Sequence, residues 1–225
     1  MIKFYYNGSP NPTKIALFLE EAGLTYQGVP IDTRQGHQFA PEFLAVNPNA
    51  KVPAIDDNGT VVFDSNAILL YLAEKTGKFL PAASHRGEFL SWLMFVATGL
   101  GPFCGQAVHF KHFAPEKVPY ANTRYQYEAK RHYGVLNAHL ASRRYMVGDS
   151  YSIVDMDVWG WARMAAFVAG DDVWASLPHL KRLTDEISAR PAAVKAMALK
   201  DTFAFKPAMD DEARAHMFKH LASAA

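Results

Sequence analysis

Apolar positions over the first 80 residues change their period several times. Ile2, Phe4 and Tyr6 alternate with Lys3 and Tyr5, the period of two that marks a strand with one buried face. From Thr13 to Ala22 the apolar residues recur at helical spacing instead. The same reading predicts a strand over 26–31, a short helix near 41–45, strands over 53–56 and 60–63, and a helix over 65–75. Asp57-Asn58-Gly59 predicts a tight hairpin turn between the last two strands, because Asn-Gly accepts positive φ. The order βαβ, then α, then ββα is an α/β domain.

Beyond that the period becomes helical throughout. The expected helices run over 86–97, 103–113, 120–142, 153–169, 178–189 and 191–201. The Gly-, Pro-, Ala- and Ser-bearing stretch from Gly77 to Arg86 reads as a connection. The expected division is therefore a domain over 1–80, a linker over 81–86, an all-helical domain over 87–205 and a tail over 206–225. Ser152-Ile153-Val154-Asp155 is a capping box, and Asp155 is read as structural.

Composition narrows the function classes. A chain of 225 residues, 50% hydrophobic, can bury one large core or two modest ones. The formal charge of +1 gives no basic stripe for nucleic acid. No run of about 18 apolar residues predicts a membrane span, and Met1 to Tyr6 reads as strand rather than leader. The single cysteine, Cys104, excludes an internal disulfide and suits a reducing cytoplasm. His109 and His112 are spaced i, i+3 with no evident third ligand, so no metal is expected.

The chemistry-bearing stretch is Asn47 to Ile55 followed by Val61 to Leu69. Its first part is a loop entering a short strand at Val52-Pro53, where a cis bond is a candidate because Pro makes cis cheap. Its second part is a strand ending at Asp64-Ser65, ahead of a helical run. A helix start gathers negative charge through its free N–H groups and dipole. A strand edge beside it can hold a small extended peptide by its backbone and its carboxylate.

That arrangement resembles the glutathione site of the soluble glutathione transferases. Ser9-Pro10-Asn11-Pro12-Thr13-Lys14-Ile15 is similar to the start of the nu class, the bacterial glutathione-dependent disulfide-bond oxidoreductases. Gly36 to Phe43, Leu100 to Tyr120 and Tyr125 to Arg131 fit the same subgroup, so the likeness spans about the first 200 residues. It implies a thioredoxin-like N-terminal domain, an all-α C-terminal domain and a homodimer. It also implies glutathione-dependent reduction of small disulfides, with some activity on organic hydroperoxides and a second glutathione completing turnover to glutathione disulfide.

By the same resemblance Asn11 and Ser9 face the glutathione sulfur, with Ser9 standing where close relatives carry Thr. Gln38 and Lys51 reach the glycyl carboxylate, and Val52, ahead of Pro53, pairs its backbone with the cysteinyl unit. Asp64 holds the γ-glutamyl ammonium, one methylene shorter than the Glu of many relatives, and Ser65 holds its carboxylate. Arg131 comes from the helical domain to a glutathione carboxylate or a second glutathione.

The residues themselves agree with sulfur chemistry carried by a ligand. The place of a Cys-x-x-Cys is taken by Ser9-Pro10-Asn11-Pro12, which has no sulfur. Ser and Asn beside Pro are also turn formers, and Tyr5 or Tyr6 is the rival thiol activator. Conjugation of electrophiles, a glutathione-dependent isomerase and a non-enzymatic regulator of the same fold are the alternative functions. Cys104 reads as a small buried hydrophobe.

Overall fold

The computed structural model describes residues 1–219, so the last part of the expected tail, 220–225, lies outside the described residues. Contacts divide the chain into two units. One is Met1–Leu72 together with the segment from Val194 onward, and the other is Ala73–Ala193. This grouping departs from the expected division, because residues 194–219 fall with the N-terminal unit instead of extending the helical domain or standing apart as a tail.

In the first unit, β1 (Ile2–Tyr6), β2 (Tyr26–Pro30), β3 (Ala54–Asp57) and β4 (Thr60–Phe63) form a sheet of order β2-β1-β3-β4. β1 runs parallel to β2 and antiparallel to β3, and β3 pairs antiparallel with β4. The alternation in β1 is realised: Ile2, Phe4 and Tyr6 are buried while Lys3 is exposed. The β3–β4 turn has positive φ at Asn58 (53°) and Gly59 (96°), the geometry that Asn-Gly accepts. Helix α1 (Pro10–Ala22) buries Ile15, Leu17, Phe18 and Leu19. A short α2 (Pro41–Leu44) and α3 (Ser65–Thr76) complete the α/β pattern.

Helix α1 starts at Pro10, three residues before the apolar period begins at Thr13. Pro lacks an N–H, and the first turn of a helix has no intrahelical partner for one, so Pro10 and Pro12 open the helix instead of breaking it. Asn11 therefore lies in the first helical turn and Ser9 at its N-cap position.

The second unit is helical. It contains α4 (Arg86–Phe95), α5 (Gly101–Val108), α6 (Pro119–His139), α7 (Ile153–Ala162), α8 (Ala165–Ala169) and α9 (Pro178–Ser188); α10 (Pro191–Ala198) and α11 (Asp211–Met217) follow. A π-helical turn at Val96–Leu100 joins the stretches expected as separate helices into one run, Ala83–Phe113, which a second such turn at His109–Phe113 ends. By length and composition alone this run could cross a membrane, with a mean hydropathy of 1.2 in its most apolar window. Its apolar residues have another use: α4 packs on α7 and α5 on α6, burying Phe89, Leu93, Val96, Leu100 and Cys104. The capping box at α7 forms as expected, with the Ser152 N–H donating to Asp155 Oδ2 at 2.8 Å and the Met146 N–H donating to Oδ1 at 2.8 Å.

Candidate functional site

Register brings the candidate segments of the first unit to one end of its sheet. Tyr5 pairs with Ala54, and Ala54 pairs with Phe63. Past those pairs, β1 runs into Asn7–Asn11, β3 is preceded by Lys51–Pro53, and β4 continues into Asp64–Ser65. Because β2 is parallel to β1, with Tyr6 opposite Pro30, the loop carrying Gln38 leaves at the same end. Sequence neighbours on four different strands thus become neighbours in space.

The first of these segments is organised by Asn7. Its Oδ1 accepts from the Ser9 N–H at 3.0 Å and from the Ser9 hydroxyl at 2.6 Å. Its amide donates to Thr33 Oγ1 at 3.4 Å. The single hydroxyl proton of Ser9 is therefore already committed. Pro10 and Pro12 have no N–H, so their backbone offers nothing to an anion at this helix start. Asn11, half-buried in the first turn, carries the side-chain NH2 that can make such a bond.

The second segment is held by Asn47, almost fully buried, whose Oδ1 accepts from the Asn49 N–H and whose amide donates to the Lys51 carbonyl at 2.6 Å. The Val52–Pro53 bond is cis. The Val52 side chain packs against Ile31, Phe43 and Ala54. Its main-chain N–H and C=O carry no hydrogen bond among the described residues. A backbone left unpaired at a strand entrance is the surface on which an extended peptide adds by β-pairing. Lys51 is exposed.

Asp64 sits at φ 72°, a left-handed conformation uncommon for a residue with a side chain. There its Oδ1 accepts from the first-turn N–H groups of Asn66 (2.9 Å) and Ala67 (3.2 Å), capping α3. Oδ2 has no hydrogen bond among the described residues. Ser65 is buried beside it, its hydroxyl 3.4 Å from Asn66 Oδ1, which also accepts from the buried Lys14 ammonium at 2.9 Å. One carboxylate oxygen for a cation and a helix start for an anion are what the two ends of an amino-acid zwitterion require.

Gln38 is 4% exposed, and its amide donates to the His216 carbonyl at 3.3 Å. The loop leading to it is tied by Asp32. Against the upward push of burial, bonds from the Lys206 N–H, the Gln35 amide and the Arg34 N–H hold the Asp32 carboxyl below its ordinary range.

Both tyrosines of β1 are placed by packing. The Tyr6 ring is buried between Phe4 and Phe205, and its hydroxyl lies 2.9 Å from Thr202 Oγ1. Tyr5 tilts against Phe43, and burial raises its pKa above the ordinary value, with the charge of Asp56 adding to the effect.

In the second unit, Arg131 on α6 donates through Nε to Glu128 Oε2 at 2.9 Å, and Arg124 reaches the other oxygen of Glu128 at 2.9 Å. The Arg131 hydrogen bond, assisted by both guanidinium charges, holds the Glu128 carboxyl below its ordinary range. Cys104 is fully buried in α5, and burial pushes its thiol up to about 12. His112 stacks on Phe167 and binds its carbonyl at 3.0 Å. No group of three or more His, Cys, Asp or Glu is placed to hold a metal among the described residues.

Comparison with known families decides the lineage. Residues 1–74 match the N-terminal domain model of the glutathione S-transferases, and residues 105–191 match the C-terminal domain model. The chain belongs to the glutathione S-transferase family. Among curated relatives, this transferase-family chain is 43% identical over 205 residues to the disulfide-bond oxidoreductase YfcG of Escherichia coli K12, covering 88% of this chain and 94% of that one. Two solved structures are also similar. A glutathione transferase family member from Pseudomonas fluorescens pf-5, with two glutathione bound, is 38% identical with a TM-score of 0.82, covering 87% of this chain and 92% of that one. A glutathione transferase from Pseudomonas putida, with one glutathione disulfide bound per subunit, is 33% identical with a TM-score of 0.80, covering 88% of this chain and 91% of that one. Family membership supplies the enzyme class and the fold anticipated from the sequence.

Asn7 and Asn47 are the site-shaping residues that sequence reasoning did not single out. Each carries a local signal, an Asn two residues before the backbone N–H that it binds.

Proposed function

We propose that this chain is a glutathione-dependent disulfide reductase that also reduces organic hydroperoxides. The observation that carries the reading is the pairing of unbonded Val52 backbone with the Asp64–Ser65 start of α3 at one sheet end. Val52 pairs with the cysteinyl unit, Asp64 Oδ2 takes the γ-glutamyl ammonium, Ser65 takes its carboxylate, and Gln38 and Lys51 serve the glycyl carboxylate. The ligands bound by the two Pseudomonas proteins support this assignment.

The bound thiol lies at the start of α1. Its ordinary pKa is about 8.5, and the thiolate is the reactive form. Lowering that value by about two units requires roughly 2.7 kcal/mol of preference for the anion. Hydrogen bonds to a charged acceptor contribute ~1.5–3 kcal/mol each. Asn11 supplies the main donor, and Ser9 contributes only by giving up its bond to Asn7. Neither is a base, so the thiol proton leaves to solvent.

The thiolate attacks one sulfur of the substrate disulfide, forming a glutathione mixed disulfide and releasing the other half as a thiol. A second glutathione attacks the glutathione sulfur, giving glutathione disulfide and the second thiol. With a hydroperoxide, the thiolate takes the terminal oxygen as sulfenic acid and releases the alcohol. The second glutathione then gives glutathione disulfide and water. The assembly is proposed as a cytoplasmic homodimer.

A paired assay on purified protein tests the function: glutathione-dependent reduction of 2-hydroxyethyl disulfide against conjugation of chloro-dinitrobenzene. Reduction well above conjugation is expected. Conjugation without reduction would mark an electrophile-conjugating transferase, and neither activity despite glutathione binding would mark a regulator.

A further inference from the structure

The C-terminal segment grips the loop that carries Gln38. Arg34 donates through NH1 to the carbonyls of Lys206 (2.9 Å) and Pro207 (2.6 Å), while the Lys206 N–H donates to Asp32 Oδ2 at 2.6 Å. Past this clasp, Asp210 caps α11 by accepting the Ala213 N–H at 2.9 Å, and Lys206 pairs with Asp210 and Glu212. Helix α11 then settles on the loop. Ala213 is fully buried, and the His216 ring stands where a Cβ at Gly36 would meet its Nδ1 at 2.7 Å. Gly36, at φ +80°, is thus the one kind of residue that permits both this backbone and this approach.

The cost falls on Gln38. Its amide donates to the His216 carbonyl, and its Oε1 is buried with no hydrogen-bond partner among the described residues. A buried unpaired acceptor is unfavourable, so the docked arrangement leaves Gln38 half-satisfied. A ligand carboxylate is a stronger acceptor than a backbone carbonyl.

We propose that α11 is a self-inhibitory latch on the glycyl end of the glutathione site: in the docked state the His216 carbonyl holds the Gln38 donor, and binding of glutathione exchanges that carbonyl for the glycyl carboxylate as α11 lifts. The clasp of Arg34 and Asp32 on Lys206 and Pro207 keeps the released helix tethered. This inference rests on the assignment of Gln38 under the proposed function.

Hydrogen exchange and calorimetry on the full chain test it. Glutathione should speed amide exchange across Asp211–Met217 in the wild-type protein severalfold, whereas glutathione with its glycyl carboxylate converted to a carboxamide should not. Ala213→Glu places a charge at a fully buried position of α11, and Arg34→Met removes the two guanidinium bonds to the carbonyls of Lys206 and Pro207, leaving the bond from the Lys206 N–H to Asp32. Each should tighten glutathione binding, by about tenfold where the open state is ~10% populated, since apparent affinity scales with the competent fraction. Binding of the carboxamide should change little. Exchange in the wild type that is unchanged or slowed by glutathione overturns the latch, whatever the variants do, and leaves the glutathione site standing. Failure of the wild type and both variants to bind glutathione overturns the reading beneath it instead.

Discussion

Asp64 has one observed role and one proposed role, and substitutions separate them. Oδ1 caps α3 by accepting from Asn66 and Ala67, while Oδ2 is assigned to the ligand ammonium. Asn keeps a cap oxygen and tolerates the left-handed φ of 72°, so Asp64→Asn should change unfolding free energy by no more than about 0.5 kcal/mol. It removes the charge, and a hydrogen bond to a charged partner is worth ~1.5–3 kcal/mol, so glutathione binding should weaken about 10- to 150-fold. Asp64→Ala removes the charge and the cap together and forces a Cβ-bearing residue without a capping group into the left-handed region. It should cost about 1 kcal/mol for the cap and a further 1–2 kcal/mol for the backbone, with a binding loss of about 2–5 kcal/mol. Calorimetry with glutathione, paired with urea unfolding of the same preparations, reads both effects. Asp64→Asn that binds like wild type would mean that Asp64 is a helix cap only.

Two further outcomes follow from burial. Cys104, with its thiol pushed up to about 12, should resist iodoacetamide in the native protein and react once urea is added; Cys104→Ser and Cys104→Ala should keep disulfide reduction within about twofold per folded molecule, under ~0.5 kcal/mol in barrier, and a collapse of turnover with binding intact would bring the protein's own thiol into the mechanism. Burial raises the Asp155 carboxyl from 3.8 to about 6, against hydrogen bonds from Met146 and Ser152. The native state therefore keeps a proton that the unfolded chain loses, so this contribution to stability is full below about pH 4 and is lost as pH rises through about 6, by up to ~3 kcal/mol at 1.36 per unit; urea unfolding across that window should show a fall in the wild type that Asp155→Asn lacks, and equal pH slopes would refute it.

Features governed by neighbouring residues were legible in the sequence. The Asn58-Gly59 turn, the capping box at Ser152, the alternation in β1 and the Val52-Pro53 and Asp64-Ser65 pieces each follow from a local rule of backbone geometry or capping. The start of α1 differs from the expected one because the apolar period begins only at Thr13, whereas the polar and Pro-bearing first turn from Pro10 is helical too, a helix accepting Pro where its N–H groups have no intrahelical partner. The separation of α4 from α5 was overread for a related reason: a π-helical turn shifts the apolar face by one residue, which looks like an end of periodicity. Other features depend on contacts far apart in sequence. Arg34 and Lys206 are 172 positions apart, and nothing in either local pattern announces that they meet. The same distance hides why Tyr6 is occupied, since its partner Thr202 lies 196 positions on. The motif thus names residues expected to bind glutathione, while the contacts that already hold two of them, Asn7 on Ser9 and His216 on Gln38, come only from the fold.

The central claim is that Asn11 stabilises the thiolate of bound glutathione. The direct measurement is a pH titration of ultraviolet thiolate absorbance for glutathione bound to wild type, Asn11→Ala and Tyr6→Phe. The account predicts a bound pKa about two units below the free value of ~8.5, moved back up by about one to two units in Asn11→Ala, and left in place in Tyr6→Phe, whose hydroxyl is taken by Thr202. An unshifted pKa in Asn11→Ala together with a raised one in Tyr6→Phe would contradict it and assign the activation to the tyrosine.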